Sequence, residues 1–178
     1  MLQIRFDRLV QRITGWAGII IFTICSFNIA AFECYSDEIS IIKLLPSNEE
    51  KVSITQGVWG NVLYWQGNFQ PFENDGKITP VIREIYFFKP TNIQILTSTP
   101  AYTPFYSSIL TEFVAKTRSD SSGFYQITLP PGNYSVFVKE NDKYYANRGD
   151  GYGQMNPVIV TQGSVTKLQI DIQYKAVF

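Results

Sequence analysis

The run from Thr117 to Val138, T-R-S-D-S-S-G-F-Y-Q-I-T-L-P-P-G-N-Y-S-V-F-V, leaves this chain few folds to choose from. Tyr125, Ile127 and Leu129 alternate with Gln126 and Thr128, the period-two pattern of a half-buried strand. Tyr134, Val136 and Val138 then resume it. Two corners punctuate the run. In Ser119-Asp120-Ser121-Ser122-Gly123 the Asp and Ser side chains can bond their own backbone, and Gly123 can take a positive φ without strain. In Pro130-Pro131-Gly132-Asn133 the Pro-Gly pair predicts a type II turn, with Pro131 first and Gly132 second of its central residues. Strand, turn, strand at this spacing predicts an all-β, antiparallel sandwich.

The same residues carry a resemblance. The segment S-D-S-S-G-F-Y-Q-I-T-L-P-P-G-N-Y-S-V resembles the T-D-x-x-G-x-F-x-I-x-L-x-P-G-x-Y signature of carboxypeptidase regulatory-like domains, with Tyr125 where that family usually has Phe. The resemblance implies a transthyretin-like sandwich of about seven strands, a non-catalytic neighbour of a peptidase. It speaks to fold more than to function.

The 178 residues contain no histidine. That excludes an imidazole general base, a Ser-His-Asp or Cys-His pair, and a His-ligated zinc. It also removes the His-based site of the hydrolases among the transthyretin-like relatives. No phosphate loop is present, and Glu49 and Glu50 are adjacent, so on a strand they point to opposite faces. The chain reads as no enzyme, with no cofactor and no metal. From Cys34 onward twelve basic residues face thirteen acidic ones, without the basic footprint that nucleic acid requires.

Residues 1–33 read as a targeting segment. Arg5, Arg8 and Arg12 precede an uncharged run from Ile13 to Phe32, about twenty residues and long enough to span a bilayer as a helix. It fits a secretory signal cut near Ala30-Ala31, the reading that the small and polar residues late in the run favour, or a retained anchor over 13–32. Cys34 also invites lipidation, although Glu33 before it fits poorly. A cut leader would take Cys25 with it, so Cys25 and Cys34 predict no disulfide. The product is expected to be exported, periplasmic or at the cell surface.

After a lead-in over 34–51, the sandwich is expected over 52–178. Val52, Ile54 and Val58 begin a predicted strand that continues through Val62 and Tyr64, and in the run Gly57 to Phe69, G-V-W-G-N-V-L-Y-W-Q-G-N-F, Gly57 and Gly60 suggest a bulge or close backbone approach. Trp59 and Trp65 flank it, either as an aromatic platform or, the stronger reading, as packing. Residues 66–80 read as a loop, in which Asn74-Asp75-Gly76 signals a turn rather than a calcium site. Val81 to Phe88, V-I-R-E-I-Y-F-F, predicts a strand covered on both faces or ending near an edge. Asn92 to Thr97 is a short strand candidate. Ser98 to Tyr106 is a long connection placed for recognition, or a surface crossover. A further strand around Phe113 to Lys116 feeds the opening run.

Lys139 to Pro157 is the longest polar, glycine-rich loop. Tyr144, Tyr145 and Tyr152 lie there beside Asp142, Asn147 and Asp150, as a polar-aromatic binding surface or simply as the closure of the sandwich. Arg148-Gly149-Asp150 spells an adhesion tripeptide and, without further support, is treated as chance. The run Tyr145 to Val158 also resembles the tail of a subgroup of small envelope proteins with this regulatory-like domain, which brings no activity with it. Leu168, Ile170, Ile172, Tyr174, Ala176 and Phe178 alternate with polar residues, as antiparallel sheets allow. Too few strands exist for a membrane barrel despite the terminal Phe178.

Two functions fit. One is a structural or interaction module that docks an envelope protein through a sheet edge or its long loops. The other is a glycan- or peptide-binding module using Trp59, Trp65, Tyr144, Tyr145 and Tyr152.

Overall fold

The computed structural model describes residues 45, 47–72, 75–98, 100–101 and 103–178. The leader, Cys25, Cys34, the lead-in up to residue 44 and Asn74 of the predicted turn lie outside them. Leu45–Phe178 is one compact unit. Its strands are β1 (Gly57–Asn68), β2 (Lys77–Pro80), β3 (Glu84–Phe88), β4 (Phe105–Tyr106), β5 (Phe113–Arg118), β6 (Phe124–Ile127), β7 (Gly132–Glu140), β8 (Lys143–Tyr145), β9 (Pro157–Val160), β10 (Val165–Lys167) and β11 (Ile170–Val177). Besides these the described residues hold only two short 3-10 turns, Glu49–Lys51 and Ile93–Ile95.

The first sheet is built on β1. Leu63 registers with both Pro80 and Asp171, so β2 and β11 flank opposite edges. Val58 registers with both Ile127 and Thr166, which places β6 and β10 the same way. The Leu168 N–H donates to the Trp59 carbonyl at 2.8 Å and carries β10 into β11 along one edge. Along the other edge the Val62 N–H donates to Gly123 and the Val62 carbonyl accepts from Val81, joining β6 to β2. The second sheet runs β4-β8-β7-β3-β5, with β9 in line with β8 on the same edge of β7. Three tandem pairs therefore let eleven strands, where about seven were expected, fill eight ladder positions.

The two sheets face each other. Val58, Val62, Ile170 and Ile172 from the first meet Ile85, Phe87, Val136 and Val138 from the second, all buried. Each such side chain contributes about 1.5–3 kcal/mol by leaving water. The expected alternation holds: Tyr125 and Leu129 are each 1% exposed, and Leu168, Ile170, Ile172 and Tyr174 all join this core. Tyr125 donates to the Leu168 carbonyl at 2.7 Å, within the first sheet, and Tyr174 of β11 donates across the gap between the sheets to Glu140 of β7 at 2.8 Å. Glu140 is buried and accepts from the Arg83 guanidinium as well.

The first corner of the opening run is built on Asp120. Its Oδ1 accepts from the Ser122 and Phe124 N–H groups at 2.8 and 3.0 Å, and Lys51 reaches Oδ2 at 3.0 Å. Gly123 follows at φ 79°, where a Cβ would stand 2.7 Å from the Val62 carbonyl oxygen. Ser119 accepts from the Arg83 N–H and donates to the Val81 carbonyl, fixing the approach to β3. The close approach expected at Gly60 is real: a Cβ there would lie 1.8 Å from the Leu168 carbonyl oxygen.

Six local expectations change. The strand predicted from Val52 begins only at Gly57, because the Ser53 N–H donates to the Gln126 side chain instead of to a ladder partner. The loop predicted from Lys139 contains β8, which pairs back on β7 across the Asn141-Asp142 corner, where both residues take a positive φ. Gly132 is not the left-handed residue of a type II turn; at φ 158° it opens β7, and the Tyr134 hydroxyl closes the corner on the Pro130 carbonyl at 2.8 Å. Asn92 to Thr97 is not a strand, because the Asn92 side chain accepts from the Gln94 N–H and nucleates a 3-10 turn. The 66–80 loop contains β2, with the Asp75 carboxylate accepting from the Asn68 N–H at 2.6 Å. Finally, β10 and β11 run parallel to β1. Side-chain alternation reports which face is wet, not which way the neighbouring strand runs.

Candidate functional site

The five aromatics expected at a binding surface do not form one. Trp59 is 6% exposed, against Phe124 and beneath the Lys167 ammonium at 4.8 Å. Trp65 is half-buried; its indole N–H donates to Asp171 at 3.0 Å and its ring packs on Phe69 and Phe178. Tyr144 and Tyr145 are neighbours on β8 and so point to opposite faces. Tyr145, 1% exposed, packs with Phe105 and Tyr174 in the core between the sheets. Tyr144 lies on the outer face of the second sheet, edge-on to Tyr86 and Phe88. Tyr152 is 92% exposed at a loop tip. Among the described residues no ring contact links any two of the five.

The outer face of the second sheet carries its own apolar cluster. Phe88, Tyr106, Phe137, Ala146 and Met155 are buried there, with Tyr86, Leu96, Ile109 and Tyr144 packed against them. V-I-R-E-I-Y-F-F thus covers both faces, as its two apolar parities require. The connection between β3 and β5 supplies the cover. It is tied down by the Thr91 N–H on Ser135, by a 2.6 Å bond between the Thr91 and Thr111 hydroxyls, and by the Lys89 N–H on Glu112.

The cover is incomplete. Between this connection and the glycine-rich loop after β8 lies a broad open groove of about 960 Å³. Leu96, Tyr106, Ala146 and Met155 line it on the apolar side, Ile93 stands at the rim 50% exposed, and Arg148 is its one charged lining residue. Backbone bonds between the two walls hold it open: Ile93 N–H to Gly153, Met155 N–H to Thr91, and Ala146 N–H to Pro104. The loop is equally determined. Asp150 Oδ1 accepts from the Tyr152 and Gln154 N–H groups at 2.7 and 3.0 Å, and Asn156 accepts from the Arg148 N–H. The Asp150 carboxylate is therefore a turn acceptor.

Burial pushes the Tyr106 hydroxyl up, further from ionisation. Beyond the groove on the same sheet face, the hydrogen bond from Tyr86 and then that from Lys116 hold Glu84 below the usual carboxylate range. Among the described residues no three His, Cys, Asp or Glu side chains converge to hold a metal ion.

Both loops were singled out in the sequence; their apolar lining was not. Ile93 and Leu96 lie in one connection and Ala146 and Met155 in another, and only the fold gathers them. No family model matches the chain, and no curated protein or solved structure matches it either.

Proposed function

We propose that the chain is a non-catalytic, exported β-sandwich module of the carboxypeptidase regulatory-like, transthyretin-like kind, and that it docks a partner protein of the envelope. One observation carries the docking reading: the two longest connections form a preformed groove with an apolar floor and a single cation at its edge. Such a shape suits an extended apolar segment with a carboxylate near Arg148.

Panning a phage-displayed peptide library on the folded domain tests it. Peptides combining apolar residues with an acidic one should be enriched. They should lose about tenfold or more in affinity for Ile93→Glu, which changes only an exposed rim side chain. Equal binding to this variant, or no enrichment, refutes the reading.

The glycan alternative has one observation in its favour. Trp65, Phe69 and Phe178 cluster at the end of β11, with Phe178 63% exposed and stacked on Phe69 at 5.5 Å. A change in tryptophan fluorescence on adding soluble glycans, lost in Phe178→Ala, would support it.

A further inference from the structure

Asn147, Arg148 and Gly149, which also line the groove, bound a smaller cavity of about 140 Å³ together with the N-terminal part of β11. Its walls bring together Arg148 and Asp171, which are distant in sequence and opposite in charge. Neither takes part in an ion pair among the described residues, so they face one space without bridging it.

Asp171 is held in place. Its Oδ1 accepts from the Trp65 indole at 3.0 Å and from the Gln169 amide at 2.8 Å, whereas Oδ2 accepts from no described residue. Arg148 is positioned through its backbone, whose N–H donates to Asn156 Oδ1 at 2.9 Å, and its guanidinium has no partner among the described residues.

We propose that this cavity binds a small zwitterion of the α-amino-acid class, with Arg148 taking the carboxylate and Asp171 the ammonium. The charges select this class. A neutral sugar would desolvate a cation and an anion and neutralise neither. Sugar recognition also favours an aromatic face, and no aromatic residue lines the cavity. A phosphate would meet one guanidinium and be repelled by Asp171. The volume suits a free amino acid and is too small for a peptide. Trp65 acts as a positioning residue that aims the carboxylate, the part its indole N–H plays in place of a platform.

The test uses the twenty L-α-amino acids as probes, followed by backbone amide NMR on the folded domain. At least one free amino acid should shift the amides of Gly149, Asn156, Ile170 and Asp171. Its N-acetyl form, without the ammonium, and its amide, without the carboxylate, should each bind about tenfold or more weakly. Arg148→Gln and Asp171→Asn should each lose affinity by a similar factor while the rest of the spectrum stays in place. No shift with any amino acid at tens of millimolar overturns the proposal. So does equal binding of the blocked forms, undiminished binding by both variants, or the same shifts from glucose. Arg148 also edges the groove, so Ile93→Glu separates the two sites: it should leave amino-acid binding unchanged.

Discussion

On the inner face of the second sheet, Ile85, Phe87, Val136 and Val138 are fully buried against the first sheet. One residue along the same strands, Tyr86, Phe88 and Phe137 line the outer face beneath a loop, with Tyr144 beside them. The inner face is mostly aliphatic and sealed by another sheet. The outer face is aromatic and meets edge to face, Phe88 with Phe137 at 5.7 Å and Tyr86 with Tyr144 at 5.3 Å. A sheet can cover a whole face because its side chains repeat with the same period. A loop cannot, so the outer cover leaves the groove. Stability and the candidate docking surface are thus carried by neighbouring residues on opposite faces.

The sharpest way to break this contrast is a pair of truncations. Phe87→Ala, at 0% exposure, should cost about 3–5 kcal/mol in urea unfolding. Tyr144→Ala, half-buried on the outer face, should cost about 1–2 kcal/mol, the lower end for a partly exposed ring. Equal losses would mean that the loop seals its face as well as the sheet does.

Alkali probes both faces, because burial pushes the Tyr106 hydroxyl up on the outer face as it does three tyrosines on the inner one. Burial pushes the hydroxyls of Tyr125, Tyr145 and Tyr174 up. Their folded-state values exceed the unfolded one, so the stability they contribute is intact below about pH 10 and is lost as pH rises beyond it. Tyrosinate absorbance should therefore show a fraction that ionises only on unfolding. A single transition near pH 10 with the fold intact would contradict this.

Acid gives the smallest effect, at the Asp120 corner. Burial opposes ionisation there, but hydrogen bonds from Ser122, Lys51 and the Ser122 and Phe124 N–H groups outweigh it and hold the carboxyl below the usual range. A lowered value stabilises the fold above about pH 4, and that contribution is lost as pH falls through the folded-state value. Asp120→Asn should lower stability modestly at pH 7 and flatten its decline in acid. An unchanged acid profile would remove Asp120 from the account.

The run from Ser119 to Val138 was legible because its information is local. Asp120 and Gly123 form their corner with near neighbours, and alternation needs only the next residue but one. Pro131-Gly132 misled because a Pro-Gly pair leaves several corners open, and the Tyr134 hydroxyl selects among them. The parallel direction of β10 and β11 depends on where the chain has already placed β1, which no window of residues contains. The same limit hid the site. Arg148 and Asp171 share a cavity, and Ile93 shares a groove with Met155, only after both sheets have formed.

The most direct test is a residue-by-residue NMR map of the protein with a peptide recovered by panning. Methyl signals of Ile93, Leu96, Ala146 and Met155 should shift, while those of Val136 and Val138 stay fixed. Shifts confined to the amides of an edge strand such as β5 would mean docking by strand addition, and the groove would not be the working surface.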